Sequence, residues 1–196
     1  MPSKVRYSFA AAGLLFVAAC TSQAPAPPPP AASPAPAVSQ VERGRYLVSI
    51  AACDDCHTPN KMGPNGPEPD MSRRLSGHPE SMKVDKPPKL DGPWMFAGTG
   101  SFTAWAGPWG ISYTANITSD KNTGIGQDLW TEELFIKAIR EGKHMGTSRL
   151  ILPPMPWPVY KNMTDDDLKA VFAYLRTVPA VNNHVPEPII NEPPKK

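Results

Sequence analysis

"AACDDCHTP", residues 51–59, places Cys53, Cys56 and His57 within five positions of a 196-residue chain that has three cysteines in all. Such a cluster can hold a partner cysteine, a zinc ion or something larger. A Cys53–Cys56 disulfide has the C-x-x-C spacing of redox-active dithiols. It gives His57 no part, and the strand–helix setting of a thioredoxin-like site is missing. Structural zinc takes four protein ligands. Cys53, Cys56 and His57 supply three at best, with no second C-x-x-C or H-x-H group nearby. The remaining reading is C-x-x-C-H as a covalent haem attachment site, in which both thiols form thioethers with the porphyrin vinyl groups and the adjacent imidazole reaches the iron. Haem c uses all three residues and asks for no fourth ligand from a second cluster of this kind.

Outward from the cluster, the N-terminus reads as an address. Lys4 and Arg6 precede the apolar run "FAAAGLLFVAAC", Phe9 to Cys20, which has the form of an export signal and is short for a membrane-spanning helix. Its ending, "VAAC", resembles the bacterial lipobox. That resemblance makes residues 1–19 a cleaved signal and Cys20 a lipid-modified N-terminus, its acyl chains forming a membrane anchor. An ordinary secretory signal with a coincidental Cys20 is the plainer alternative. Removal of the leader takes Lys4 and Arg6 with it and leaves 18 basic and 18 acidic residues. A near-neutral chain with no basic stripe is not built for nucleic acid. From Ala24 to Ala37 seven residues are Pro and six are Ala, so residues 20–39 read as an extended spacer. At about 3.1 Å per residue it reaches on the order of 50 Å.

Three helices are expected beyond the spacer. "VERGRYLVSIAACDDCH" from Val41 places Gly44, Leu47, Val48 and Ala51 on one face. "TEELFIKAIREG" starts at Thr131, buries Leu134, Phe135, Ala138 and Ile139, and breaks at Gly142. "MTDDDLKAVFAYLRTVP" is capped by Thr164, carries three aspartates at the positive end of its dipole and lines up Leu168, Val171, Phe172 and Leu175. The stretch from Lys61 to about Pro108 is rich in Pro and Gly, shows little periodicity, and is expected to be irregular.

The segments "RGRYL…CDDCH", "ISYTANITSDKNTGIG" with "LWTEELFIKAIREGKHMG", and "LPPMPW…MTDDDLKAVFAYLRTVPAV" resemble a class I cytochrome c domain. More narrowly, they are similar to the cytochrome subunits of membrane-associated periplasmic dehydrogenases of the alcohol and gluconate dehydrogenase type. The resemblance covers about residues 41–182 apart from the Lys61–Pro108 stretch. It implies an all-α cytochrome c fold, with three to five helices around one covalent haem and a long irregular Pro/Gly-rich loop. The cytochrome domain would be residues 40–182 and residues 183–196 a tail. Many such relatives carry three haem domains, whereas this chain has one C-x-x-C-H and looks like a single-haem version. The resemblance further implies a backbone carbonyl from "GPNGPEP" as the acceptor for the His57 ring nitrogen that is not on iron.

A second iron ligand has to come from a rigid segment. Met155 stands in "ILPPMPWP", where Pro153, Pro154 and Pro156 restrict the backbone, and the resemblance places its axial methionine there too. Met163 and Met145 are the sulfur rivals, and His78, His144 and His184 the nitrogen alternatives. Trp94, Trp105 and Trp109, with Tyr113 or Asn116, can supply donors to the haem propionates or plain packing. Lys61, Lys83, Lys86 and Lys89 form either a docking rim or scattered solvated charge.

A haem with two protein ligands shuttles one electron with little rearrangement. By the resemblance, the donor is an exported dehydrogenase and the acceptor another cytochrome or a terminal oxidase; the chain is then an electron carrier on the periplasmic side of a bacterial membrane, not an enzyme. A haem protein with an open or labile distal site, acting as a ligand sensor or redox enzyme, is the alternative, and a structural lipoprotein with an accidental motif a third.

Overall fold

The architecture was read from a computed structural model, in which residues 38–84 and 86–191 are described. The leader, Cys20 and most of the spacer lie outside them.

Ser39 opens the first helix, α1 (Gln40–Ile50), with a reciprocal capping box to Glu42. The helix does not run on to His57. Ala51 leaves helical geometry, Ala52 turns left-handed at φ 56°, and a separate short helix, α2 (Cys53–His57), carries the whole C-x-x-C-H. The other two expected helices form with the caps foreseen. α3 (Glu132–Glu141) starts on the Thr131 hydroxyl and ends at Gly142 in the left-handed region. α4 is a single turn (Trp157–Tyr160), and α5 (Asp165–Leu175) starts on the Thr164 hydroxyl.

α1 crosses α5 at Gly44, where a Cβ would strike the Ala170 carbonyl and Tyr174. Only glycine lets the backbones approach this closely. Arg43 and Asp167 pair beside the crossing at 2.9 Å. α3 packs on α5 through Phe135 and Phe172, their rings 5.4 Å apart. Leu47, Val48, Leu75, Ile139, Leu168 and Leu175 fill the core between the three.

The all-α expectation is corrected by the stretch assigned to an irregular loop. It holds β1 (Asn60–Gly63), β2 (Gly66–Pro69), β3 (Ala97–Gly98) and β4 (Ala104–Gly107), followed by β5 (Gly110–Tyr113) and, near the end, β6 (Ile189–Ile190). β1 and β2 form a two-stranded antiparallel sheet, and the others a four-stranded antiparallel one in the order β3-β4-β5-β6. The protein is therefore mixed α and β around a helical core. Both tight hairpins use the same turn. Gly63 pairs with Gly66 across Pro64-Asn65, and Gly107 pairs with Gly110 across Pro108-Trp109. Proline presets the first loop position, and Gly66 and Gly110 leave the turn at φ 119° and 110°, which only glycine adopts freely.

Residues beyond 182 are built into this frame. Asn183 is 2 % exposed. Its side chain donates to the carbonyls of Ser76 and His78, both at 2.8 Å, and accepts from Arg73 at 2.8 Å and the Glu80 amide at 3.0 Å. β6 then pairs with β5, Ile189 opposite Ile111.

Candidate haem centre

The break at Ala51–Ala52 frees α2 to take its own direction, and it puts Cys53, Cys56 and His57 on one and a half helical turns. Both cysteines are free thiols and half-buried. Burial, reinforced by Asp54, pushes the Cys53 thiol up to about 11, and burial with Asp55 raises Cys56 as well. Neither is thiolate-activated, unlike the attacking cysteine of a redox dithiol. Among the described residues no group of three or more His, Cys, Asp or Glu side chains stands together as a metal-holding cluster.

His57 is 8 % exposed, and burial lowers its pKa. Its Nδ1 lies 2.7 Å from the carbonyl oxygen of Ala115. A carbonyl accepts, so Nδ1 carries the proton, and in the neutral ring Nε2 is left with a directed lone pair. The acceptor comes from "YTANIT" and not from "GPNGPEP", which forms the β1–β2 hairpin instead. The backbone of His57 is tied as well, its carbonyl accepting from the Gly77 amide at 2.8 Å.

Three further contacts hold α2. Tyr160 on α4 donates its hydroxyl to the Ala51 carbonyl at 2.5 Å, at the break itself. Thr58 donates to Asp54 at 3.1 Å and accepts from the Leu75 amide at 3.0 Å. Arg74 bridges Asp54, at 2.7 Å, and the Tyr174 hydroxyl on α5, at 2.8 Å. Sequence reasoning missed Ala115, Tyr160 and Arg74, because each acts across at least 20 positions of chain.

Met155 packs against the same core cluster as Cys53, together with Ile117, Trp130, Tyr160, Met163 and Phe172. All are partly buried. The segment before Met155 is held by Ser112, whose hydroxyl donates to the Pro153 carbonyl at 2.5 Å, and the Pro153–Pro154 bond is cis. Met163 keeps its place as a neighbour, while Met145 sits at φ 51° in a short turn after α3. His78 is not available as a ligand in this conformation. It is fully buried, and Thr103 at 3.0 Å and the Met82 carbonyl at 2.9 Å take its two ring nitrogens. His144 lies edge-on to Trp130, and His184 is exposed. The donor set of two free thiols and one oriented imidazole on α2 suits haem c.

Three of the five expected propionate donors, Asn116, Tyr113 and Trp109, are engaged elsewhere. The Asn116 amide donates to Thr123 and to the Val181 carbonyl, and its oxygen accepts from Thr118. The Tyr113 hydroxyl donates to the Val84 carbonyl and Trp109 to Ser112, while the Trp105 indole nitrogen is buried and Trp94 is exposed. Of the lysines considered for a rim, Lys61 faces Asp70, Lys89 faces Asp91, and Lys83 donates to the Glu80 carbonyl. No helix among the described residues is long and apolar enough to cross a membrane.

Comparison with known proteins agrees with this chemistry. The chain is 32% identical over 147 residues to the fructose dehydrogenase cytochrome subunit of Gluconobacter japonicus, covering 74% of this chain and 23% of that one. It is 33% identical over 134 residues to the gluconate 2-dehydrogenase cytochrome c subunit of Pantoea cypripedii, covering 68% and 22%. The cytochrome c subunit of the quinone alcohol dehydrogenase of Gluconobacter oxydans is 28% identical over 134 residues, covering 68% and 20%. The chain thus spans less than a quarter of the length of these relatives. The sequence model of the cytochrome c family matches residues 41–179, the C-x-x-C-H helix included, and the chain belongs to that family.

Proposed function

We propose that this domain carries one haem c and passes single electrons from an exported dehydrogenase to a cytochrome or terminal oxidase of the respiratory chain. Cys53 and Cys56 would hold the haem through thioethers, and His57 Nε2 and Met155 Sδ would supply the two protein ligands to its iron. Bound haem supplies a one-electron iron couple. The protein's own residues do the rest. Ala115 fixes the His57 tautomer and ring plane, Tyr160 and Arg74 fix α2, and the proline-flanked loop offers Met155 with little backbone entropy left to lose. The single observation that carries this reading is the His57–Ala115 bond, which presents a ligand lone pair from a helix bearing two free thiols.

A single C-x-x-C-H supports one haem, and the names of the similar subunits support a dehydrogenase as donor. The lipobox-like "VAAC" supports an anchor at Cys20 on the periplasmic side of the membrane. The deciding experiment is the alkaline pyridine spectrum of the exported protein, then reduced-minus-oxidised spectra with and without carbon monoxide. One covalent haem per chain and no carbon monoxide binding support the carrier. Carbon monoxide binding by the untouched protein favours the sensor or redox-enzyme alternative, and absence of haem absorption overturns both. Met155→Ala should abolish a weak far-red sulfur-to-iron band, lower the potential and admit carbon monoxide; survival of the band removes Met155 from the iron. Cys20→Ala should release haem-containing protein from washed membranes.

A further inference from the structure

The two residues between the cysteines are both aspartates, and the fold treats them differently. Asp55 is exposed. Asp54 uses both carboxylate oxygens, Oδ1 accepting from Thr58 at 3.1 Å and Oδ2 from Arg74 at 2.7 Å. Arg74 is fixed in turn, its other terminal nitrogen donating to Tyr174 at 2.8 Å and its guanidinium lying 6.0 Å from the centre of that ring. The side chains of the pair are 27% and 32% exposed, so solvent screens them only in part.

This pair is built in. Arg74 opens a strap, Arg74–Gly77, that holds α2 along its length. Leu75 gives its amide to Thr58, and Gly77 gives its amide to the carbonyl of His57. Leu75 is wholly buried at φ 61°, a conformation that a leucine keeps only where its surroundings impose it. Asp54 stands three residues before His57, which is one helical turn.

When a haem iron gives up one electron it gains one positive charge. A carboxylate fixed one turn from the axial ligand favours that oxidised form, and a guanidinium fixed on the carboxylate opposes it. We propose that the Asp54–Arg74 ion pair sets the reduction potential of this domain, Arg74 cancelling a charge that would otherwise hold the iron oxidised. The proposal rests on the haem reading above.

The test is a redox titration of the haem-loaded protein, after the pyridine spectrum of each variant has shown one covalent haem. Failure of the unaltered protein to show haem defeats the functional reading and this proposal with it, whereas a loaded protein whose potential ignores the pair defeats the proposal alone. In loaded protein, Arg74→Gln should lower the potential and Asp54→Asn should raise it. The double variant should return close to the original value, Arg74→Lys should largely keep it, and Asp55→Asn should move it less than Asp54→Asn does. Shifts of the same sign in both single variants, or a double variant that keeps the Arg74→Gln shift, would overturn the proposal, because a purely structural role has no reason to cancel. Should Arg74→Gln fail to load haem, the near-isosteric Asp54→Asn decides alone: a rise supports the pair, and an unchanged potential sinks it.

Discussion

The Nδ1 atom of His57 and the carbonyl oxygen of Ala115 meet at 2.7 Å across 58 positions of chain. The contact depends on Gly77, which sits at φ 74° between the two segments and would, with a Cβ, strike the carbonyls of Thr114 and Ala115. Gly77→Ala is therefore expected to cost about 1–3 kcal/mol of stability through strain alone. It should also move the carbonyl that orients His57. Denaturant midpoints read the first effect, and the haem-to-protein ratio of purified material reads the second. A fully loaded, equally stable Gly77→Ala variant would show that the 77–115 contact is not restrictive.

The α1–α5 crossing makes a second demand on glycine. Gly44→Ala places a methyl group against the Ala170 carbonyl and Tyr174, and overpacking of this kind costs about 1–3 kcal/mol. Thermal unfolding should show a clear drop in midpoint. Arg43→Ala, which removes the half-exposed pair with Asp167 beside the crossing, should cost no more than about 1 kcal/mol.

Tyr160 should contribute to the alkaline limb of stability. Burial, with smaller contributions from Cys53 and Cys56, pushes its hydroxyl up to about 12. A group whose folded pKa lies above its unfolded value of about 10 holds its proton longer in the native state, so its stabilisation is full below pH 10 and is lost towards pH 12. Tyr160→Phe should lose about 1 kcal/mol at neutral pH with its bond to Ala51. It should also show a shallower decline between pH 10 and 12 in urea titrations than the unaltered protein.

His78 makes the converse case on the acid side. Burial holds its pKa below the ordinary 6.5, with both ring nitrogens engaged by Thr103 and Met82. The folded state binds its proton less readily than the unfolded chain, so its contribution is complete above pH 6.5 and falls as the pH drops below that value. His78→Asn should start less stable at pH 7.5, and its thermal midpoint should change less between pH 7 and 5. A midpoint that falls equally in both proteins would place the acid sensitivity elsewhere.

The helical core was legible in the sequence because its signals are local. Thr131, Thr164 and Gly142 are caps that announce themselves, and the stripes of α3 and α5 repeat at helical spacing. The break between α1 and α2 was not legible. Ala51 and Ala52 are good helix formers, and tertiary contacts, among them the Tyr160 hydroxyl on Ala51, hold them out of the helix. The sheet was missed because β3 and β6 are two residues long and show no alternation. One signal was present all the same. Gly63-Pro64-Asn65-Gly66 and Gly107-Pro108-Trp109-Gly110 repeat a turn, and reading them together would have marked two hairpins. C-x-x-C-H announced the chemistry of the site. Its support, Ala115 and Arg74, depends on pairings that local sequence does not encode.

Asn183 joins residues that lie 103 to 110 positions earlier in the chain. A ribosome makes those residues well before Asn183, so the frame around α2 cannot close until Asn183 has been made. Contacts of such long range also slow the search for the native state. The cysteines of α2 thus emerge well before Asn183, which ties the strap at the Ser76 carbonyl. A growing chain stopped short of Asn183 leaves the carbonyls of Ser76 and His78 without the Asn183 amide as donor, and this corner of the frame closes only when that residue arrives.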